Sequence, residues 1–214
     1  MPKLRVHNFS LSLDGYGAGP DQSVDNPLGI GGQKLHDWAW TTRTFQAMIG
    51  SDTGEENVDD SFASRTGVGL GATILGRNMF GPVRGPWPDG SWKGWWGPNP
   101  PYHHPTFVLT HYARDPVPME GGTTFYFVTD GIESALEQAF AAAQGKDVWL
   151  AGGASTIQQY LRAGLVDEAH LAIGKALLGG GERFFDHLEG AEANYEVAEW
   201  VGTSLALHVV LVKR

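Results

Sequence analysis

From Leu4 to Leu13 apolar residues first run together and then alternate with polar ones, a strand pattern that Asp14-Gly15 ends where glycine permits a sharp turn. A Gly-, Pro- and Asp-rich loop spans 15–32, after which Leu35, Trp38, Ala39, Thr42, Phe45, Ala47 and Met48 recur near helical spacing. They predict one amphipathic helix over 33–48. Residues 57–66 add a further helical turn or two, with Asp59 and Asp60 suited to the positive end of its dipole. Four short apolar runs, at 72–76, 107–110, 124–128 and 148–151, read as buried parallel strands. Between the last two, 131–143 is rich in helix formers and stops at Gln144-Gly145. Beyond Glu168 the pattern is strand-like over 168–178, 195–201 and 204–212, the last two joined around Gly202-Thr203. The sum is an α/β protein: a mixed, mainly parallel sheet, helices on both faces and a C-terminal antiparallel hairpin.

One segment breaks the rhythm. Residues 81–105 place Pro82, Pro86, Pro88, Pro98, Pro100, Pro101 and Pro105 between two strands, together with Trp87, Trp92, Trp95, Trp96, Tyr102, His103 and His104. Such rigid aromatics either stack on a flat ring and keep water from it, or pack as a proline-stapled cap on the domain or on a second subunit. His103 and His104 are adjacent and lack partnering Cys or clustered acids, so a metal site is not expected.

Composition narrows the function more than the fold. The 214 residues, 42% hydrophobic and 18% charged, suit one folded domain over 1–214. There is no cysteine, hence neither a disulfide framework nor thiolate ligation, and no apolar block of a signal peptide or membrane span. A cytoplasmic protein is expected. A net charge of −9 without a Lys/Arg cluster argues against nucleic acid, although a helix start and a single Arg still hold one small anion.

Two turns are suited to that task. At 148–161, a strand runs into Gly152-Gly153-Ala154-Ser155-Thr156-Ile157 and then a helix, so that glycines let backbone approach a diphosphate and free N–H groups face its oxygens. The same residues also suit a plain tight turn with a Ser cap, and they lack the G-x-G-x-x-G arrangement. Leu75-Gly76-Arg77-Asn78 ends another buried strand on the edge where open α/β sheets bind ligands. Arg77 there either grips a ribose phosphate or serves as a surface ion-pair partner. Asp14 is either a proton donor or hydrogen-bond anchor, or a turn residue capping Gly15. His7, His170 and His208 fall in strand patterns that suit packed, hydrogen-bonded imidazoles, and no nucleophile elbow is present, so hydrolysis is set aside.

Ser12-Leu13-Asp14-Gly15, Leu75-Gly76-Arg77, Leu109-Thr110-His111, Ala151-Gly152-Gly153-Ala154, Leu165-Val166-Asp167-Glu168 and Leu177-Leu178-Gly179-Gly180-Gly181-Glu182 occur in the order that resembles the dihydrofolate reductase superfamily. The closest resemblance is to the reductase domain of bacterial riboflavin biosynthesis and its stand-alone relatives. It implies a three-layer dihydrofolate-reductase-like fold with NADPH across the carboxyl edge of the sheet. Gly76, Arg77 and Asn78 would take the adenosine 2′-phosphate, Thr110 and His111 the ribose region, and Gly152, Gly153, Ala154, Ser155, Thr156 and Ile157 the diphosphate. Backbone of Ser10 and the loop from Asp14 to Ala18 would flank the nicotinamide, and a cis peptide is expected at Gly152-Gly153. Trp38, Trp40 and Phe45 on the first helix are expected in the core, with Trp38 also a candidate, beside Trp87, Trp95 and Trp96, to line the substrate pocket. The folate enzymes carry an acid on the first helix, and here that helix offers only His36 and Asp37 near its start. Folate reduction itself is therefore not expected. The expected activity is NADPH-dependent hydride transfer to a small heterocycle such as a pterin or pyrimidine, by a homodimer. A non-catalytic NADP-binding sensor or scaffold and a flavin-dependent reductase are the alternatives.

Overall fold

The computed structural model describes residues 1–81 and 84–214, so that Pro82 of the proline-rich segment lies, with Val83, outside the described residues. Strands β1 (Leu4–Leu11), β2 (Leu70–Gly76), β3 (Pro105–Leu109), β4 (Val117–Pro118), β5 (Thr124–Val128), β6 (Asp147–Gly152), β7 (Glu168–Gly174), β8 (Tyr195–Gly202) and β9 (Ala206–Lys213) form one sheet in the order β4-β5-β3-β2-β6-β1-β7-β9-β8. From β5 through β7 neighbours are parallel; β4 and the β9–β8 pair are antiparallel. This is the mixed, mainly parallel sheet with a C-terminal hairpin that the apolar runs predict.

Alternation along the strands divides the core. Leu4, Val6, Ile74, Phe107, Val148, Leu150 and Leu171 face α5 (Ile132–Ala143) and α6 (Ala154–Arg162), which present Ala135, Ala139, Ile157 and Tyr160. Alanines on α5 let the helix lie close to the sheet, and the Tyr160 hydroxyl donates to the Ile132 carbonyl at 2.8 Å, tying α6 to the start of α5. On the opposite face Leu75, Val108, Phe125 and Ala151 are covered by Phe80, Tyr102, Trp87 and Trp92. The aromatic segment thus caps a sheet face with no long helix over it. Further along that face, Trp38, Ala39 and Ala63 pack on Ala172 and Ala206.

The predicted helix over 33–48 is broken. A 3-10 turn at Gly32–His36 leads into α1 (Asp37–Trp40), and α2 (Arg43–Met48) starts afresh because Thr42 is extended (φ −74°, ψ 146°) and its Oγ1 accepts from Phe45 N–H. A β-branched Thr pair offers the chain a cap in place of another helical turn. Trp40 and Phe45, expected in the core, instead meet edge to face at 4.4 Å with Trp40 40% exposed. α3 (Val58–Ala63) is capped by Asn57 and carries Asp59 and Asp60 in its first turn, as the sequence pattern expects.

Beneath α3 lies a buried polar chain. The Nε2 of His208 is 2.8 Å from Asp59 Oδ1, its Nδ1 is 3.0 Å from His170 Nε2, and Asn8 N–H donates to His170 Nδ1 at 3.2 Å. Phe62 stacks on both imidazoles and Trp38 meets them edge on. With Asp59 as acceptor, two neutral rings each donating from Nε2 serve Asp59 and the Asn8 N–H but not the Asn8 Oδ1, which lies 2.9 Å from His170 Nδ1. Burial, and next the neighbouring His208, push the His170 pKa down to about 3. His7 is the exception to the expected hydrogen-bonded imidazoles, since its Nε2 is buried without a partner among the described residues.

β1 and β7 both end earlier than their apolar patterns suggest. Past Leu11 the Ser12 N–H donates to the Tyr16 carbonyl, and Leu13 N–H reaches Ala176 O, which turns both segments out of the sheet into a shared loop layer. Among the described residues, no helix is long and apolar enough to cross a membrane.

Candidate active site

The glycine turn and the Arg77 turn meet at the carboxyl edge of the sheet. β2 pairs with β6 through Leu75 and Gly152, and the residues just past them, Gly76 and Gly153, lie side by side. A Cβ on Gly76 would overlap Thr156 Oγ1 and lie 3.5 Å from Gly153 N, so only glycine lets the two turns approach. Gly152-Gly153 is cis, as the resemblance implies. Gly152 has φ +127° and a Cβ there would meet Met79 Sδ and Phe9 Cε2, each at 2.9 Å. A Cβ on Gly153 would find only Met79 Cγ at 4.0 Å, so the turn is packed on one side and open on the other. α6 begins at Ala154 without a side-chain cap, and Ser155 is exposed. The Ser cap of a plain strand-to-helix turn is absent, which leaves the Ala154 and Ser155 N–H groups available to a ligand, while those of Thr156 and Ile157 are held by Gly153 O at 3.1 Å.

Arg77 opens α4 (Arg77–Phe80) and makes no ion pair among the described residues. Its guanidinium lies flat over Trp87, 3.4 Å from the ring centroid, and Nη1 donates to Gly81 O at 3.3 Å. Nε and Nη2 are buried without partners among the described residues. Burial, and then the charge of Arg114, lower the Arg77 pKa to about 10, so the group stays cationic near neutrality. The surface ion-pair reading of Arg77 is not what the structure shows.

Thr110 and His111 follow β3 on the same edge; Thr110 is buried, its N–H bound to Val128 O and its hydroxyl accepting from Tyr112 N–H, while His111 is exposed. Trp87 joins them through an Nε1–H bond of 2.8 Å to Tyr112 O. Asn78 lines a cleft of about 280 Å³ with Gly19, Pro20, Asp21, Arg84 and Glu182, across which Arg84 and Glu182 pair at 2.5 Å. Ala18 is buried at the inner end of the same loop, its carbonyl accepting from Glu182 N–H.

Several expected contributors have other tasks. Trp38 is 1% exposed and donates Nε1–H to Ser10 Oγ at 2.9 Å, so it is a core residue rather than a pocket wall, and the Ser10 side chain is already engaged. Trp95 meets Trp92 edge to face at 4.8 Å and Trp96 is 52% exposed; neither lines the clefts that Asn78 and Trp87 line. Asp14 accepts from Gly179 N–H at 2.7 Å and Leu178 N–H at 3.1 Å. Partial desolvation pushes its pKa up, but hydrogen bonds from the Ser12 hydroxyl and from Gly179 and Leu178 outweigh it and bring the carboxyl down to about 2. Asp14 therefore anchors the 178–179 segment as a carboxylate. Sequence reasoning missed Phe9, Met79 and Arg114; the first two read as ordinary apolar positions, and nothing local shows that Arg114 returns to Trp87.

Comparison with known proteins follows the same lines. A dihydrofolate reductase from Enterococcus faecalis, complexed with NADP(H) and RAB-propyl, superposes with a TM-score of 0.51 at 13% identity, covering 99% of this chain and 96% of that one. A "putative riboflavin biosynthesis protein" of Shewanella sp. PV-4 gives a TM-score of 0.60 at 21% identity over 100% of this chain and 99% of its own. Both show a shared fold. The Bacillus subtilis (strain 168) "Uncharacterized protein YyaP" is 51% identical over 41 residues, a stretch that spans 19% of this chain and 22% of that protein. The family described as the RibD C-terminal domain matches residues 2–204, and the chain belongs to that family.

Proposed function

We propose that this chain, acting as one domain, is an NADPH-dependent reductase that transfers hydride to a carbon–nitrogen or carbonyl double bond of a small heterocycle. The observation that carries the reading is Arg77: a cation at the carboxyl edge with two buried nitrogens unpartnered among the described residues, one turn away from an uncapped helix start. Leaving a buried charged donor unpaired costs on the order of 1–3 kcal/mol or more, which a bound phosphate would remove. The residues present fit a phosphorylated dinucleotide. Arg77, with Gly76 and Asn78, would hold the 2′-phosphate; Gly153, Ala154, Ser155 and the turn through Ile157 would face the diphosphate; Thr110 and His111 would border the ribose. Backbone of Ser10 and the loop to Ala18 would flank the nicotinamide.

When bound, the reduced nicotinamide supplies the hydride. The chain's own contribution is to position the reactants and exclude water: Phe9 and Met79 wall the glycine turn with apolar surface. Asp14, ionised and occupied by two amides, is not the proton donor in this scheme.

The test is NADPH oxidation against a panel of pterins, pyrimidines and related heterocycles. Turnover with at least one, dependent on Arg77, supports the reading. Tight NADPH binding without turnover on any of them would favour the sensor reading, which the first helix, with no acid beyond Asp37 near its start, motivates. A yellow purified protein would point to a flavin instead. We also infer a homodimer, prompted by Val197 and Trp200, 52% and 65% exposed on the edge strand β8; sedimentation equilibrium giving a monomer would overturn it. The cysteine-free sequence prompts the inference of a cytoplasmic location.

A further inference from the structure

The buried face of α6 carries Ala154, Ile157, Tyr160 and Leu161, yet Gln158 lies on that face too and is only 7% exposed. A buried amide costs stability unless its hydrogens are taken up. Here they are: Gln158 Nε2 donates to Arg183 O at 3.0 Å and to Phe184 O at 2.9 Å. Gln158 thus reaches out of α6 to hold the backbone of another segment.

That segment is the partner of the loop from Asp14 to Ala18. Gly17 N–H donates to Glu182 O at 2.9 Å, Glu182 N–H to Ala18 O at 3.0 Å and Phe184 N–H to Gly15 O at 2.9 Å, while Tyr16 and Arg183 form an antiparallel bridge between them. The approach is close. A Cβ on Gly181 would overlap Ala18 O, and a Cβ on Gly17 would come within 2.9 Å of Phe9 Cζ and 3.6 Å of Ala154 Cβ. Phe9 also walls Gly152 and packs on Phe184, their ring centroids 5.2 Å apart. The loop 15–18, the strip 182–184, Phe9 and the first turn of α6 therefore form one packed unit. Asp14 ties one end of the loop to 178–179, and Gln158 ties the strip beside the loop to α6.

We propose that Gln158 is a positioning residue: by holding the 182–184 backbone it fixes the loop 15–18 against the glycine turn, so that the surface flanking the nicotinamide is already formed when the cofactor arrives. The proposal rests on the cofactor reading and adds to it a residue that acts through Arg183 and Phe184 rather than on the ligand. A ligand that has to order a loop loses that ordering free energy from its affinity, and a preformed loop removes the loss. Without the amide, Arg183 O and Phe184 O lose their donor and the strip loosens. The nicotinamide end of the cofactor, which meets the loop, then binds less well, whereas the adenosine and diphosphate end, held by the carboxyl-edge turns, does not.

The experiment compares the full chain as wild type, as Gln158→Met, which is of similar size but has no donor, and as Gln158→Glu. The last, when ionised, has no hydrogen to give, and it keeps the test open should Gln158→Met fail to fold. Amide hydrogen exchange is read at Gly17 and Glu182, with Val148 in β6 as the internal reference for global unfolding. Calorimetric titration uses NADPH and 2′-phospho-ADP-ribose, the same molecule without its nicotinamide. Both variants are expected to exchange Gly17 and Glu182 roughly ten- to hundredfold faster relative to Val148, and to bind NADPH roughly tenfold more weakly while 2′-phospho-ADP-ribose is unchanged. Where the wild type binds NADPH, equal acceleration at all three amides, no acceleration, or an equal loss of the two ligands overturns the role of Gln158 and leaves the cofactor reading intact. A wild type that binds neither ligand overturns the cofactor reading and the proposal together.

Discussion

Gly76→Ala tests the close approach on which the site is built. Gly76 has φ −79°, an ordinary value for any residue, so the substitution adds a methyl group without backbone strain. That methyl would overlap Thr156 Oγ1 and touch Thr156 Cβ and Gly153 N at 3.5 Å. Thr156 is 5% exposed in the first turn of α6, with little room to retreat, and its N–H is held by Gly153 O at 3.1 Å. Overpacking of this kind costs about 1–3 kcal/mol. With a urea slope of about 2 kcal/mol per molar for a domain of this size, the unfolding midpoint should fall by about 1 M. NADPH binding should weaken as well, because displacing Thr156 displaces the start of α6. Thr156→Ala removes the colliding oxygen, so the double variant should recover most of both losses, with a coupling of about 1–2 kcal/mol in the double-mutant cycle. Strict additivity of the two substitutions, or a Gly76→Ala protein that unfolds at the wild-type midpoint, would refute the packing argument.

The buried histidines make stability acid-sensitive: His170 is brought down to about 3 and His7 to about 4, both first by burial, so the unfolded chain binds more protons between those values and about 6.5. Stability is thus full above about pH 6.5 and falls as pH drops, by about 1.4 kcal/mol per pH unit for each histidine; denaturation midpoints across this range should show it, and a His170→Asn protein with an undiminished slope would contradict it. Trp38→Phe loses the bond to Ser10 and part of a packed volume, and should cost about 1–3 kcal/mol without changing NADPH affinity or substrate KM; a KM effect at unchanged stability would restore Trp38 to the pocket. Asp14→Ala should speed amide exchange at Leu178 and Gly179, whereas a lost acidic limb in the kcat profile with unaltered exchange would return Asp14 to proton transfer.

The strands were legible because four apolar runs of β-branched and aromatic residues have no other place than a covered sheet, and the hairpin because 195–212 alternates. The break at Thr42 was hidden by a helical spacing that continues across it, since periodicity records which side chains face inward and not whether the backbone is continuous. β4, two residues long, carries no periodic signal at all. At the site, Gly76, Arg77 and the Gly152-Gly153 turn were readable because glycine at a strand end has a local geometric reason. The task of Asp14 was not, because its partners Leu178 and Gly179 are far away in sequence. The return of Arg114 to Trp87 was invisible for the same reason, since only the course of two loops brings them together. The aromatic segment turned out to cover a sheet face that a helix would otherwise occupy, and of its tryptophans Trp87 touches Arg77 and Arg114.

The central claim is that the carboxyl edge holds NADPH through Arg77, and calorimetric titration of NADPH and NADH into the wild type and Arg77→Ala tests it most directly. The account predicts that the wild type prefers NADPH and that Arg77→Ala loses roughly ten- to hundredfold in NADPH affinity with NADH little changed, the worth of a charge-assisted phosphate contact. Equal affinity for the two cofactors in the wild type, or no binding of either, would contradict it.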